Sequence, residues 1–149
     1  MFTGLADNIT VISKESLFVA KKVEQVVQEI NQKHGIEHYS KTKNEGFWRL
    51  VLYRESKQTK QVLISVIVSE PKEGTPIDEI KSAILSKFED KKIPGDHDLE
   101  IMSISIIYST ELSGGYKEGD KAELLFGNSM SYEEEIYGFR FTVSPFAFF

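Results

Sequence analysis

The chemistry open to this chain is bounded first by what its side chains can attack or ligate with. Its 149 residues include no cysteine. That removes a cysteine nucleophile, a thiolate zinc site, a cysteine-ligated iron–sulfur cluster and a disulfide scaffold. Of the three histidines, His34 and His38 stand four apart, the spacing that puts two metal ligands on one helix face. Gly35 falls between them as a helix stop, however, and no third ligand is in view. Asp96 and Asp98 flank His97 in what reads as a turn before a strand. Gly114, Gly115 and Gly119 precede no Lys-Ser/Thr pair at phosphate-loop spacing and open no helix. Glu133, Glu134 and Glu135 form a charge run, which is ordinarily solvated, and paired-carboxylate catalysis would need a pocket around them. Trp48 and Arg49 offer more. An indole beside a guanidinium on a strand can stack a base and hold a phosphate. The same pair also suits a core tryptophan next to an arginine held by a carboxylate.

The elements that must position these groups follow from apolar spacing. Asn8 to Ile12 alternates weakly, as a strand does, and Ser13 is a good helix N-cap. Leu17, Ala20, Val23, Val27 and Ile30 draw one stripe along a helix that should stop near His34–Gly35. Phe47 to Arg54 and Gln61 to Ser69 are rich in aromatic and branched residues and read as a strand pair joined across Glu55–Lys60. Thr75 as N-cap and Pro76 at the first helical position open a second helix, with Ile77, Ile80, Ile84 and Phe88 as its buried stripe. Pro94–Gly95 should end that helix. Met102 to Tyr108 then alternates as a further strand. The order matches a ferredoxin-like split β-α-β sandwich, an α+β fold with an antiparallel sheet and two helices on one face. Beyond the glycine-bearing loop Ser113–Asp120, Ala122–Phe126 and Ile136–Val143 are expected to pair as a C-terminal β-hairpin across Gly127–Asn128. The division expected is an α+β domain over residues 1–112 and a hairpin with connector over residues 113–149. The last stretch, Ser144 to Phe149, is mostly apolar, so it should tuck into the core or run on into something else.

Composition fits a folded globular chain, with 40% hydrophobic and 28% charged residues. No apolar run approaches the roughly 20 residues that span a bilayer, and no secretory signal is evident. An intracellular setting, cytoplasmic or nuclear, is therefore expected. Net charge is −5, which argues against a chain built wholly around a polyanion. Cations nonetheless gather locally: Lys41, Lys43, Arg49, Arg54, Lys57 and Lys60 face only Glu45 and Glu55 within residues 41–60. A basic hairpin on an acidic body suggests a side that meets phosphate. Lysines guarding a sheet edge would look the same.

Tyr137-Gly138-Phe139-Arg140-Phe141-Thr142-Val143-Ser144-Pro145-Phe146-Ala147-Phe148-Phe149 resembles the passage by which RNA uracil-5 methyltransferases enter their methyl-donor domain. There a strand close to Phe-Arg-Ile-Ser-Pro leads to Ala-Phe-Phe and then Gln; the eukaryotic-type tRNA (uracil-5-)-methyltransferases are the most similar. Glu45-Gly46-Phe47-Trp48-Arg49, continuing to Arg54, is similar to that family's Gly-x-Trp-Arg/Lys strand. Gly4-Leu5-Ala6-Asp7-Asn8-Ile9 is similar to a Gly-Leu opening found in related enzymes.

The resemblance implies a reaction in which a cysteine thiolate adds to C6 of uracil, C5 takes a methyl group from S-adenosylmethionine, and a base removes the C5 proton. With no Cys and no Gly-rich strand-to-helix turn for the donor, this chain would be inactive alone. It would bind no cofactor itself, S-adenosylmethionine belonging to the full-length parent. What it implies is the central, RNA-facing domain, which grips tRNA and presents an extruded uracil to a methyltransferase domain. Trp48, Arg49 and Arg54 would contact RNA, with Lys41, Lys43, Lys57 and Lys60 on phosphates. A different class of function is a free-standing α+β interaction module that dimerises through a sheet edge and binds no RNA.

Overall fold

The computed structural model describes residues 13–147. The expected first strand at Asn8–Ile12, the Gly4–Ile9 opening and Phe148–Phe149 lie outside the described residues. Helix α1 runs Lys14–His34. Ser13 caps it, its Oγ accepting from the Ser16 backbone N–H, and Gly35 closes it at φ 66°, donating its N–H to Asn31 O. Both ends therefore form as the sequence dictates, because each satisfies backbone groups that the helix leaves unpaired. Its buried stripe is Val19, Val23, Val26, Val27 and Ile30, so Leu17 and Ala20 are only partly covered.

Strands β1 (Trp48–Ser56) and β2 (Gln61–Ser69) form an antiparallel hairpin. Helix α2 spans Ile77–Ser86, with Pro76 rather than Thr75 at the cap and no side-chain cap bond. It stops well short of the expected end at Pro94–Gly95, so Phe88 is buried beyond the helix and Lys92–Ile93 are free to pair as a strand. After it come a two-residue strand β3 (Lys92–Ile93), the long β4 (Leu99–Ser109), β5 (Lys121–Phe126), β6 (Tyr132–Ile136) and β7 (Phe139–Val143).

The α+β class, the two helices and the C-terminal hairpin are all present. The sheet is mixed, whereas the sequence order suggested antiparallel pairing throughout. β2 and β4 hydrogen-bond to each other directly and in parallel, from Gln61↔Glu100 to Ser69↔Ser109. β2 is buried at all seven interior positions, the burial typical of parallel strands covered on both faces. On one face Val62, Ile64, Val66 and Val68 join α1, α2 and β4 in the main core. On the other, Leu63 packs with Tyr132 and Val143 in a second, smaller cluster.

The C-terminal pairing also differs from expectation. β5 joins the main sheet against β4, with Ser105↔Leu124 and Tyr108↔Lys121 among its pairs, while the hairpin is β6–β7. Ile136↔Phe139 closes a two-residue turn with positive φ at both Tyr137 (52°) and Gly138 (81°). Such turns match the twist of the flanking strands and are commonly signalled by Asn-Gly or Asp-Gly. A tyrosine in the first position hides the signal.

Candidate nucleic-acid interface

Trp48, read from the sequence either as a base-stacking platform or as core, is core. It is 2% exposed, meets Phe47 edge to face at 5.0 Å, and donates its indole N–H to Asn31 Oδ1 on α1 at 3.0 Å. A tryptophan is retained comfortably inside when its one polar atom finds such a partner. In this arrangement its ring faces are not available to a base.

Arg49 is the extra residue of a β-bulge: Trp48 pairs with Val68 and Leu50 with Ile67, leaving Arg49 unmatched. Bulges re-aim a side chain, and this one sends the guanidinium across the end of the sheet. Arg49 Nε donates to Ser69 Oγ (2.9 Å), and Nη1 donates to Glu111 O (2.5 Å) and Gly115 O (3.5 Å). Its charged carbon lies 4.0 Å from the centre of the Tyr39 ring, a cation–π contact. Ser69 Oγ in turn donates to Gly46 O at 2.7 Å. Arg49 therefore fastens the loop after β4 to the start of β1, and its partners are carbonyls, a hydroxyl and a ring rather than the carboxylate that the sequence suggested as an alternative. It also lines a cleft of about 430 Å³ with Tyr39, Phe47, Ser69, Thr75 and Thr110. The cleft opens at the carboxyl ends of the parallel pair β2–β4, where open sheets bind their ligands. Glu37, Glu45 and Glu70 share its wall with Arg49 and Lys72, so its charge is mixed.

Arg54 lies on the opposite face of the sheet, paired with Leu63. Its Nη2 donates to Ala147 O at 2.7 Å. Tyr116 donates its hydroxyl hydrogen to Pro145 O at 2.7 Å, and its ring lies 5.8 Å from that of Phe146. Residues 144–147 are thus drawn onto the protein.

Lys41, Lys43, Lys57 and Lys60 are all exposed. Lys41 and Lys43 sit in the turn bracketed by the Ser40↔Glu45 bridge, next to the start of β1. Lys57 and Lys60 occupy the β1–β2 turn, Lys57 being 3.9 Å from Glu55. The nine residues of β1 hold the two pairs roughly 25–30 Å apart at about 3.3 Å per residue. Tertiary structure thus splits the basic segment into two small patches, with the two arginines turned inward between them. Nothing in the sequence marks Tyr39, Ser69 or Glu111 as partners of Arg49, because a bulge leaves no periodic trace.

The histidines do not converge. His34 Nε2 lies 2.7 Å from Glu79, which also binds Lys33 at 2.6 Å. Lys33 and His34 beside it hold the Glu79 carboxyl below its usual range. Among the described residues no cluster of three His, Cys, Asp or Glu is placed to hold a metal, and no helix is long and apolar enough to cross a membrane. Among the described residues, the turn that leaves the end of β2 does not fit S-adenosylmethionine. The β2–α2 connection, Glu70 to Pro76, carries Pro71, Pro76 and one glycine, not the glycine run that lets a backbone approach a bound nucleotide.

Compared with solved structures, the chain is similar to one from Pyrococcus abyssi, a tRNA (uracil-54, C5)-methyltransferase in complex with S-adenosyl-L-homocysteine. The TM-score is 0.51 at 18% identity, over 87% of this chain and 27% of that one. The two share a fold. This chain spans about a quarter of that enzyme's length. No protein-family model and no curated protein matches the sequence.

Proposed function

We propose that this chain is the RNA-positioning domain of an S-adenosylmethionine-dependent tRNA uracil-5 methyltransferase. The observation that carries this reading is the shared fold with the Pyrococcus enzyme over 87% of the chain. It agrees with the independent resemblance of Tyr137–Phe149 and of the Gly46–Trp48–Arg49 strand to the same family. Uracil C5 becomes nucleophilic only after a thiolate adds at C6, and there is no cysteine here. Methyl transfer and donor binding therefore fall to a separate methyltransferase domain of the parent, and this chain without it turns over no methyl groups. In this reading the exposed Lys41, Lys43, Lys57 and Lys60 meet phosphates. Arg49 and Arg54 act by holding the post-β4 loop and the 144–147 segment in place, and Trp48 by holding β1 against α1.

The test is tRNA binding by fluorescence anisotropy across a salt series. Affinity should fall with salt, and replacing the four lysines with alanine should flatten the log–log slope by about one for each phosphate contact removed. Binding that ignores salt, or a quadruple variant that binds as the parent does, would refute the reading.

A further inference from the structure

Tyrosines in this chain have structural work to do, with one exception. Tyr39, Tyr53 and Tyr116 each donate the hydroxyl hydrogen to a named partner, and Tyr108 and Tyr132 are buried. Tyr137 is 97% exposed, at the outer end of the β6–β7 hairpin, which overhangs the body. Nothing packs on its ring.

The backbone does not favour a tyrosine there either. Tyr137 lies at φ 52° and Gly138 at φ 81°, the two left-handed residues of the turn. Asn, Asp or Gly takes the first of these positions readily, whereas a bulky residue is an outlier. A ring that touches nothing gives no packing in return, so stability does not account for this residue. A local rule broken without structural gain points to function.

The neighbouring residues say which. Glu133, Glu134, Glu135 and Ile136 lead directly into the phenol, Gly138 follows it, and Arg140 is the only cation from Asn128 to Ala147. Glu133 accepts from Thr142 Oγ1 at 2.8 Å and Glu134 from Ser56 Oγ at 2.6 Å, contacts that bring in no positive charge. Glu135 lies 3.7 Å from Arg140 Nε. β6 already holds Tyr132–Ile136 extended, the form in which a groove reads a peptide strand by its side chains. Three carboxylates and an aliphatic residue ahead of a free tyrosine complement a basic kinase groove, where charge pattern sets substrate choice.

We propose that Tyr137 is the phosphoacceptor of a protein tyrosine kinase that selects acidic residues ahead of its target. The phenol oxygen attacks the γ-phosphorus of ATP and a Tyr137 Oη–P bond forms. The bond from that phosphorus to the β–γ bridging oxygen breaks, and ADP leaves with the electron pair. The phenolic proton passes to the carboxylate base of the kinase. Entry into the kinase requires the tip to open, and the hairpin permits it. Two strands alone are marginally stable, and Ile136, Phe139 and Phe141 are already exposed, so parting Ile136 from Phe139 uncovers little apolar surface. The inner end stays anchored through Tyr132 and Val143 on Leu63. The product adds about 1.5–2 negative charges beside three glutamates.

The test incubates the full chain with a purified acid-directed tyrosine kinase domain and γ-labelled ATP, without RNA. One phosphate per chain should be incorporated and map to Tyr137 by mass spectrometry. Because hairpin tips open at little cost, kcat/KM should lie within about tenfold of that for a free peptide of residues 130–142. Tyr137→Phe should take up no label. Glu134→Gln/Glu135→Gln keeps oxygens for Ser56 but should lower kcat/KM by about tenfold. Tyr137→Asn suits the turn and should melt about 2–4 °C higher. Label that survives Tyr137→Phe overturns the proposal, as does a folded chain left unlabelled, whether or not the peptide is labelled. Rates indifferent to the two glutamines overturn it too. So does a Tyr137→Asn chain that melts lower, for the ring then supports the fold. The tRNA-binding reading is judged separately, by its own salt series.

Discussion

Trp48 is the only tryptophan in the chain, and its placement yields a sharp experiment. Phe in its position keeps an aromatic ring against Phe47 but loses the indole N–H and part of the buried surface. The lost hydrogen bond to Asn31 Oδ1 is worth about 0.5–1.5 kcal/mol. Asn31 is only partly buried, so water can reach its oxygen, which favours the lower part of that range. Roughly 40 Å² of lost apolar area adds about 1 kcal/mol at ~25 cal/mol per Å², and the residual void adds somewhat more. Trp48→Phe should therefore lose about 2 kcal/mol, and Trp48→Ala about 3–5 kcal/mol. Urea denaturation followed by circular dichroism measures this. In the wild-type chain the tryptophan emission should be blue-shifted, poorly quenched by iodide and unmoved by saturating tRNA. Folded Trp48→Phe should keep the wild-type tRNA affinity. If tRNA quenches the emission directly, and Trp48→Phe weakens RNA binding while leaving stability intact, the assignment of this ring to the core is refuted.

Gly46→Ala should destabilise the fold by well over the ~1 kcal/mol that a left-handed residue ordinarily costs. Gly46 sits at φ 114°, and a Cβ there would overlap the His38 carbonyl, so loss of soluble expression or a steep drop in melting temperature is expected. Tyr53 donates to Glu55 Oε2 at 2.6 Å. Burial, that bond and the neighbouring carboxylates Glu55 and Glu15 raise its pKa far above 10.0. Because the folded value exceeds the unfolded one, this contribution is fully present below about pH 10 and is lost as pH rises further. Tyr53→Phe should remove that part of the alkaline decline in a denaturation series. Glu79 titrates in the opposite sense. Its lowered pKa stabilises above about pH 4.5 and is lost as pH falls through the folded value, so Glu79→Gln should flatten the acid limb of the same series.

Local signals are legible in the sequence wherever one residue satisfies one backbone need. Ser13 and Gly35 bound α1 because an N-cap hydroxyl and a left-handed glycine are local solutions to unpaired helix ends. β2 is legible because a run of branched residues suits a strand in any sheet. The candidate site is less so. Arg49 and Arg54 stand out by type as arginines with a task, but the partners of both include backbone carbonyls more than sixty positions away. No spacing rule reaches that far. The lysines are visible as a cluster in sequence, yet a nine-residue strand carries the two pairs to opposite ends.

By itself, then, the sequence determined the α+β class, the limits of α1, the principal strands and the absence of any thiol, since these depend on residue type and short-range period. Tertiary structure decided that β2 lies parallel to β4, that β5 belongs to the main sheet and β6 to β7, that Trp48 is interior, and that the Tyr137–Phe141 tip overhangs the body. Strand partnership is a contest among all available edges and faces. Its outcome depends on the summed burial of both sides of the sheet, a quantity that no single segment carries.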